Sequence, residues 1–281
     1  MKYNFSKDMS FKVNWGRYHQ FLITANDPDE NFRLIDLWLG LPADKPASVS
    51  DHTILGFEYF SPKNILFRVE TYYKDFNHLL SLKQEEVYTE NEDDIQATTM
   101  NEFWDTDAYA YGLELLVKKT SGKFKGWVGY TYAKTFNYTP PNGWFAPNHD
   151  RTHTLNIVST IELPNWVSDN LELNASLTAS SGNPYTPIKG RSYDWDDYLS
   201  GRKDKDKSIG LDWSLNNKYL VDEKNSARYP PYFRLDLGIT RKNRRLFKLK
   251  YDSYIQIINA TNHENALSLS LIHISEPTRP Y

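Results

Sequence analysis

Residues 150–180 read DRTHTLNIVSTIELPNWVSDNLELNASLTAS, and the second half of that stretch keeps a strict period of two. Leu171, Leu173, Ala175, Leu177 and Ala179 fall on one face; Glu172, Asn174, Ser176 and Thr178 fall on the other. Alternation of this kind belongs to a β-strand, whose successive side chains point to opposite sides. Sustained over about ten residues, it has the length and pattern of a tilted strand crossing a bilayer as part of a barrel. The first half follows less strictly, with Leu155, Ile157, Ile161 and Leu163 against Asn156, Thr160 and Glu162, and a polar turn over residues 164–169 joins the two. The expected unit is a hairpin, repeated along the chain.

Nine strand-like runs can be counted: residues 10–22, 52–60, 64–76, 107–119 and 125–136, the two of the hairpin above, 229–241 and 248–258. Their connections alternate between long (23–51, 77–106, 137–149, 181–228) and short (61–63, 120–124, 164–169, 242–247). An up-and-down outer-membrane barrel alternates in this way, with short periplasmic turns and longer extracellular loops. A soluble sandwich has no reason to do so. The polar parity of the runs carries Arg68, Glu70, Glu114, Glu172, Arg234 and Asp236. An Arg or Lys at the bilayer midplane costs about 2–4 kcal/mol, so these groups must face a polar lumen while the apolar parity meets lipid. The expected fold class is all-β: a partial antiparallel up-and-down transmembrane β-barrel.

Mean hydropathy is −0.66, and no stretch of about 18 apolar residues occurs. That excludes a transmembrane helix but not barrel strands, which need an apolar residue only at every second position. Phe, Trp and Tyr make up 15% of the chain, which suits aromatic girdles at both membrane interfaces. A net charge of −3 argues against a nucleic-acid partner. The chain has no cysteine, so neither a disulfide scaffold nor a Cys-based metal site is available. His149 and His153 have the helical spacing of a metal pair, but in a strand four residues span roughly 13 Å, too far for one ion. No Gly-rich phosphate loop, Ser-His-Asp ordering or HExxH helix occurs. The reading is non-enzymatic, with no cofactor and no metal.

Candidate ligand contacts lie in the long connections. Residues 181–228 hold Tyr193, Asp194, Trp195, Asp196, Asp197 and Tyr198 ahead of a mixed-charge run at 202–207. Exposed aromatics beside carboxylates suit stacking on, and hydrogen bonding to, a sugar, an aromatic chelate or a corrin. They equally suit packing within the loop or a place at lipopolysaccharide level. Trp38, Trp104, Trp144 and Phe145, in the other long connections, carry the same expectation. Asp150 and Arg151 open a strand and read as a structural ion pair or a lumen-rim network; Glu114, Arg234 and Asp236 read as structural lumen groups. Residues 85–107, with Glu90, Glu92, Asp93 and Asp94, read as a solvated acidic loop without the Gly-punctuated spacing of a calcium loop.

Seven stretches, in order, carry a family resemblance. Residues 36–42 (DLWLGLP) resemble a loop that precedes a strand pair, and 51–82 are similar to an "LGYE…VEVYYKDMxNL" hairpin. Residues 110–134 are similar to "GxEF…GxxGWxSYT", and 150–153 (DRTH) resemble "DRRH" with Thr152 in place of Arg. Residues 180–187 resemble "xxGNPxT", 229–237 (YPPYFRLDL) resemble "RxPxYxRLDL", and 258–265 resemble "NxxNxxN". Together they resemble the C-terminal barrel of TonB-dependent outer-membrane receptors, particularly those of Bacteroidetes-like bacteria. The resemblance implies a Gram-negative outer-membrane protein with a barrel of about 22 strands around an N-terminal plug. It further implies uptake of a scarce ligand through extracellular loops, energised by the TonB-ExbB-ExbD complex acting on the plug. Siderophore, cobalamin, and glycan or peptide ligands stay open, the last with a partner surface lipoprotein. The rivals are a small complete barrel, adhesin or enzyme, and a soluble sugar-binding sandwich.

The opening residues MKYNFSKDMSF have no apolar signal-peptide core. Residues 269–279, LSLIHISEPTR, resemble the translation of a transposase adapter used in sequencing libraries. Residues 1–268 are therefore expected to be the later part of a receptor barrel, without plug or last strand, and 269–281 an artefactual tail.

Overall fold

The computed structural model describes residues 1–24, 38–41, 45–82, 103–140, 142–164, 166, 170–193, 217–246 and 249–266. Within them the chain is all-β. In chain order the strands are β1 (Lys2–Asn4), β2 (Met9–Gln20), β3 (Leu22–Thr24), β4 (Trp38–Gly40), β5 (Ser48–Ser61) and β6 (Ile65–Leu82). There follow β7 (Phe103–Lys119), β8 (Phe124–Thr139), β9 (Gly143–Phe145), β10 (His153–Glu162), β11 (Leu171–Ser180), β12 (Pro184–Tyr185) and β13 (Ile188–Tyr193). The last are β14 (Asn217–Val221), β15 (Ala227–Arg228), β16 (Tyr232–Leu246) and β17 (Leu249–Ile257).

One antiparallel sheet runs in the order β1-β2-β5-β6-β7-β8-β10-β11-β16-β17, with β9 added to β8. Its nine long strands correspond to the nine runs seen in the sequence. Consecutive long strands, and β1 with β2, are joined by short connections at one end of the sheet, β5 to β6, β7 to β8, β10 to β11 and β16 to β17; every long connection leaves from the other end, where β9 also folds back on β8. The sheet does not close: β1 and β17 are its edges.

The boundaries differ from the expected ones at the long-connection end. β6 and β7 run 18 and 17 residues, so Trp104, Asp105 and Thr106 lie in a strand rather than in the expected connection. The signal was hidden by a bulge. Pairing slips between Phe76 and Leu79, and His78 takes φ 58°, so the period of two changes phase there. Asn243, at φ 55°, marks a second slip between Arg241 and Arg244, which the sequence had suggested was the turn itself. The connection 181–228 is not featureless either; it contains β12–β15.

The sheet is inside-out by the standards of a water-soluble protein. Among the described residues only Ile23, Phe103, Ala108 and Ala110 are buried hydrophobics, whereas Ser10, Thr152, Glu172, Ser180 and Asp236 are buried polar or charged groups. Phe11, Val13, Leu55, Val69, Leu113, Leu115, Val117, Val128, Leu173, Leu237 and Ile239 all stand exposed. The pairing register places these apolar side chains on one face, hereafter outer, as in the row Phe57–Val69–Leu115–Tyr130–Leu155. No second sheet covers that face among the described residues. On β7 the outer parity carries no charge between Asp107 and Lys119. Those 119 − 107 = 12 residues rise about 40 Å along a strand; at a barrel tilt of about 35–45° that is roughly 30 Å of height, enough for an apolar band of about 25 Å. Aromatic rings gather at both ends of the band: Tyr59 against Phe67 and Phe5 against Phe57 toward the turns, and Tyr73, Tyr109, Tyr111 and Phe136 toward the long connections.

The inner face satisfies its polar groups with one another. Glu58 takes Lys12 at 2.8 Å and Arg68 at 2.7 Å, Glu172 takes Lys242 at 2.6 Å, and Glu162 pairs with Lys125. Between them runs an amide–hydroxyl ladder: Thr160 donates to Asn174 at 3.0 Å, Asn174 to Thr240 at 2.8 Å, and Thr178 to Asn156 at 3.1 Å. A side-chain ladder of this kind requires strand neighbours at fixed register, which the antiparallel pairing supplies.

Candidate functional site

At the long-connection end, two connections that are far apart in sequence meet on the rim of the inner face. Asp150 is 2% exposed and pairs with Arg228. Its second carboxylate oxygen accepts the Thr135 backbone N–H at 2.8 Å. Arg228 also donates to the carbonyls of Asp150 and Gly182 at 3.0 and 3.1 Å. Asn225, in the left-handed region at φ 55°, donates to the Ala146 carbonyl at 2.7 Å and to Asn148 Oδ1 at 2.6 Å, while its own backbone N–H reaches Thr186 Oγ1. A short polar side chain tolerates that backbone conformation better than a bulky one. β12 pairs with β15, Pro184 is fully buried, and Tyr185 lies 4.7 Å from Tyr229 between ring centroids. Residues 140–152 and the two legs of the 181–231 connection thus share one base.

This base is held by charge as well as by packing. Asp150→Ala should lose a charge-assisted contact worth about 1.5–3 kcal/mol and free residues 217–231 from the rim. Protease cleavage of that segment in micelle-solubilised chain checks it; unchanged cleavage would refute the clasp. Further out, Lys189 and Asp222 pair at 2.7 Å, and the Lys189 ammonium, with the Glu223 N–H, holds the Asp222 carboxyl below its ordinary range.

The structure brings together only part of the site expected from sequence. Asp150 pairs with Arg228, not with its neighbour; Arg151 instead donates to Asn183 Oδ1 at 2.9 Å. Arg234 and Asp236 share the inner face of β16 and form a two-point ion pair, at 2.8 and 2.7 Å; Asp236 also accepts the Asn259 N–H at 2.8 Å. Glu114 stands on the inner face of β7 opposite Glu70 and Thr131. Trp104 lies in β7 opposite Ser81. Trp144, in β9, packs on the outer face against Tyr109 and Tyr138 at 5.1 and 5.4 Å, so it joins the upper aromatic girdle. Phe145 shares β9 and Trp38 lies in β4. Tyr193 ends β13; Asp194, Trp195 and Tyr198 lie outside the described residues, as do residues 269–281.

Sequence reading missed an aromatic group on the inner face. Tyr18 lies 4.8 Å from His52, and His52 lies 5.9 Å from Phe76. Beside them Lys74 sits 4.9 Å above the Tyr72 ring. The signal was present: these rings occupy the polar parity of β2, β5 and β6, where an aromatic is out of place unless it meets a plug, a ligand or another loop. Arg228 and Asn225 carried no such mark. Among the described residues no group of three His, Cys, Asp or Glu side chains could hold a metal ion.

These features define a class first: a stretch of antiparallel up-and-down transmembrane β-barrel wall, with a polar face inside, an apolar face outside, turns at one end and long connections at the other. Solved structures of that class resemble the chain. It is similar to the ferric-catecholate import receptor Fiu of Escherichia coli K12 in its closed form, with a TM-score of 0.54 over 95% of this chain at 11% identity. It is likewise similar to the outer membrane transporter YddB of Escherichia coli, with a TM-score of 0.55 over 96% of this chain at 11% identity. The chain spans 31% and 37% of those two proteins, about a third of their length. No family model matches the chain, and no curated protein does.

Proposed function

We propose that the chain is the wall segment of a Gram-negative outer-membrane receptor that takes up a scarce ligand, non-enzymatically, with energy from a TonB-ExbB-ExbD complex. The observation that carries this reading is the inside-out sheet, whose long connections all leave from one end and whose fold is similar to that of two outer-membrane transporters. The free edges of β1 and β17 would be completed by further barrel strands, because each unpaired backbone group in hydrocarbon costs several kcal/mol. The inner aromatic group and the clasped base would face the ligand path, and Tyr193, Asp194, Trp195 and Tyr198, from the same long connection as the base, are further proposed ligand contacts. A siderophore, a cobalamin, or a glycan or peptide delivered with a surface lipoprotein all suit aromatics beside carboxylates.

The test is uptake of a ligand panel by cells with the encoding locus intact, deleted, or intact but lacking TonB. Loss of one ligand in both altered strains is the expected result. Uptake unchanged by deletion of the locus overturns the proposal. Because the chain has no cysteine, topology can be read in parallel: Glu223→Cys, exposed in the longest connection, should react with a membrane-impermeant maleimide on whole cells, and Lys63→Cys should not.

A further inference from the structure

A second concave site lies on the opposite, outer face. Across β10, β11 and β16 the register sets Leu155, Ala179 and Phe233 in one row. The small central residue leaves a depression between two large ones. Its upper wall is Ser181 and the Pro230–Pro231 pair, and its side wall is His263. The cavity measures about 540 Å³, within the size range of small-molecule sites.

The side wall is built, not incidental. Beyond β17 the Ala260 N–H still reaches the Leu235 carbonyl of β16 at 2.6 Å, and the chain turns away through Asn259 and Asn262, both left-handed, at φ 53° and 50°. The next contact with β16 is made by a side chain: Asn265 accepts the Phe233 N–H at 2.9 Å and donates to the Phe233 carbonyl at 3.0 Å. That amide replaces a strand neighbour and fixes the turn that carries His263, whose ring lies 5.8 Å from Phe233. Tyr130 and His153 meet at 2.8 Å; they, Ser180 and Glu264 are polar members of a lining whose apolar part is Leu155, Ala179, Phe233 and the two prolines.

We propose that this cleft holds one acyl chain of an outer-leaflet lipid, its tail over Ala179 and its polar end at the Tyr130–His153 pair. The occupant follows from continuity: the row Leu155–Ala179–Phe233 continues, toward the long-connection end, the same apolar face that meets hydrocarbon over Leu177, Leu173 and Leu237. The inference rests on the membrane-spanning reading of the sheet, not on which ligand the receptor imports.

The probe is phosphatidylethanolamine carrying a diazirine in its acyl chain, added to the full chain in dodecyl maltoside micelles and photolysed, with labelled peptides mapped by mass spectrometry. The expected result is labelling concentrated on residues 153–155 and 230–233, above the flat band around Leu173 and Leu237. Ala179→Trp fills the depression and should abolish that excess. Ala175→Trp, two positions along the same outer face, should leave it intact, which separates cleft filling from general damage. Uniform labelling of the whole outer face, or an excess unchanged by Ala179→Trp, overturns the proposal. So does labelling that follows the headgroup when phosphatidylglycerol is substituted. Micelle labelling reads tail binding without uptake, so it fails independently of the transport reading.

Discussion

Leu115→Arg should destabilise the micelle-inserted chain by about 2–4 kcal/mol, the depth-dependent cost of a cation on the lipid face of a barrel. Leu115 is central in the apolar band: it stands on the outer face of β7, directly between Val69 and Tyr130. Its side chain is 38% exposed, so in water the same change would cost almost nothing. Thr131→Arg is the matched control. Thr131 is on the inner face of β8, directly opposite Glu114, and an arginine there gains a carboxylate partner in a polar lumen. Its effect should stay within about 0.5 kcal/mol. Denaturant titration in micelles reads both. Equal costs would mean that the outer face does not meet hydrocarbon, and the membrane reading would fall with it.

The second large effect should come from Gly182→Ala. A Cβ at this position would lie 1.7 Å from the Tyr229 carbonyl oxygen, 2.5 Å from its carbon and 3.0 Å from the Pro230 oxygen. All three are backbone atoms, so no rotamer change relieves the clash; one leg of the 181–231 connection must move away from the other. That movement breaks the β12–β15 pairing and takes Arg228 off Asp150 and the Gly182 carbonyl. The expected cost is about 3 kcal/mol, the upper end of the range for overpacking, confined to the rim. Cleavage within residues 217–231 should rise while the β7–β8 hairpin stays protected. Gly190→Ala is the control, since a Cβ there meets only the Leu220 side chain at 3.8 Å. If the two variants are equally resistant, the close approach at Gly182 does not hold the rim together.

How much was legible in the sequence follows from the range of each interaction. Strand identity in 107–119 or 171–180 is a local property, because a period of two is written in consecutive residues. The face of each residue follows from the same count, which is why Glu114, Glu172 and Asp236 were assignable to the inner side. Where a bulge shifts the phase, at His78 and Asn243, the count fails and strand ends are misplaced. Leu79, Leu80 and Leu82 are the consequence: beyond the bulge their phase is shifted, the end of β6 looks like loop, and the end of β7 that pairs with it, Trp104 included, went unrecognised with it. Trp144 is a different failure. Its neighbours in sequence are loop-like, and only pairing of β9 with β8 turns it to the outer girdle.

The sequence alone determined the strand pattern, the two faces and the alternation of short and long connections, because each is a matter of consecutive residues and of the cost of charge in hydrocarbon. The tertiary structure alone decided what the polar groups do with one another. Asp150 and Arg228 are 78 residues apart, and nothing in either neighbourhood names the other. Their meeting depends on how β8, β10, β11 and β16 line up side by side and on Gly182 allowing two backbones to touch. The outer cleft is decided in the same way: Ala179 is unremarkable in its own strand and becomes a hollow only when Leu155 and Phe233 are set on either side of it.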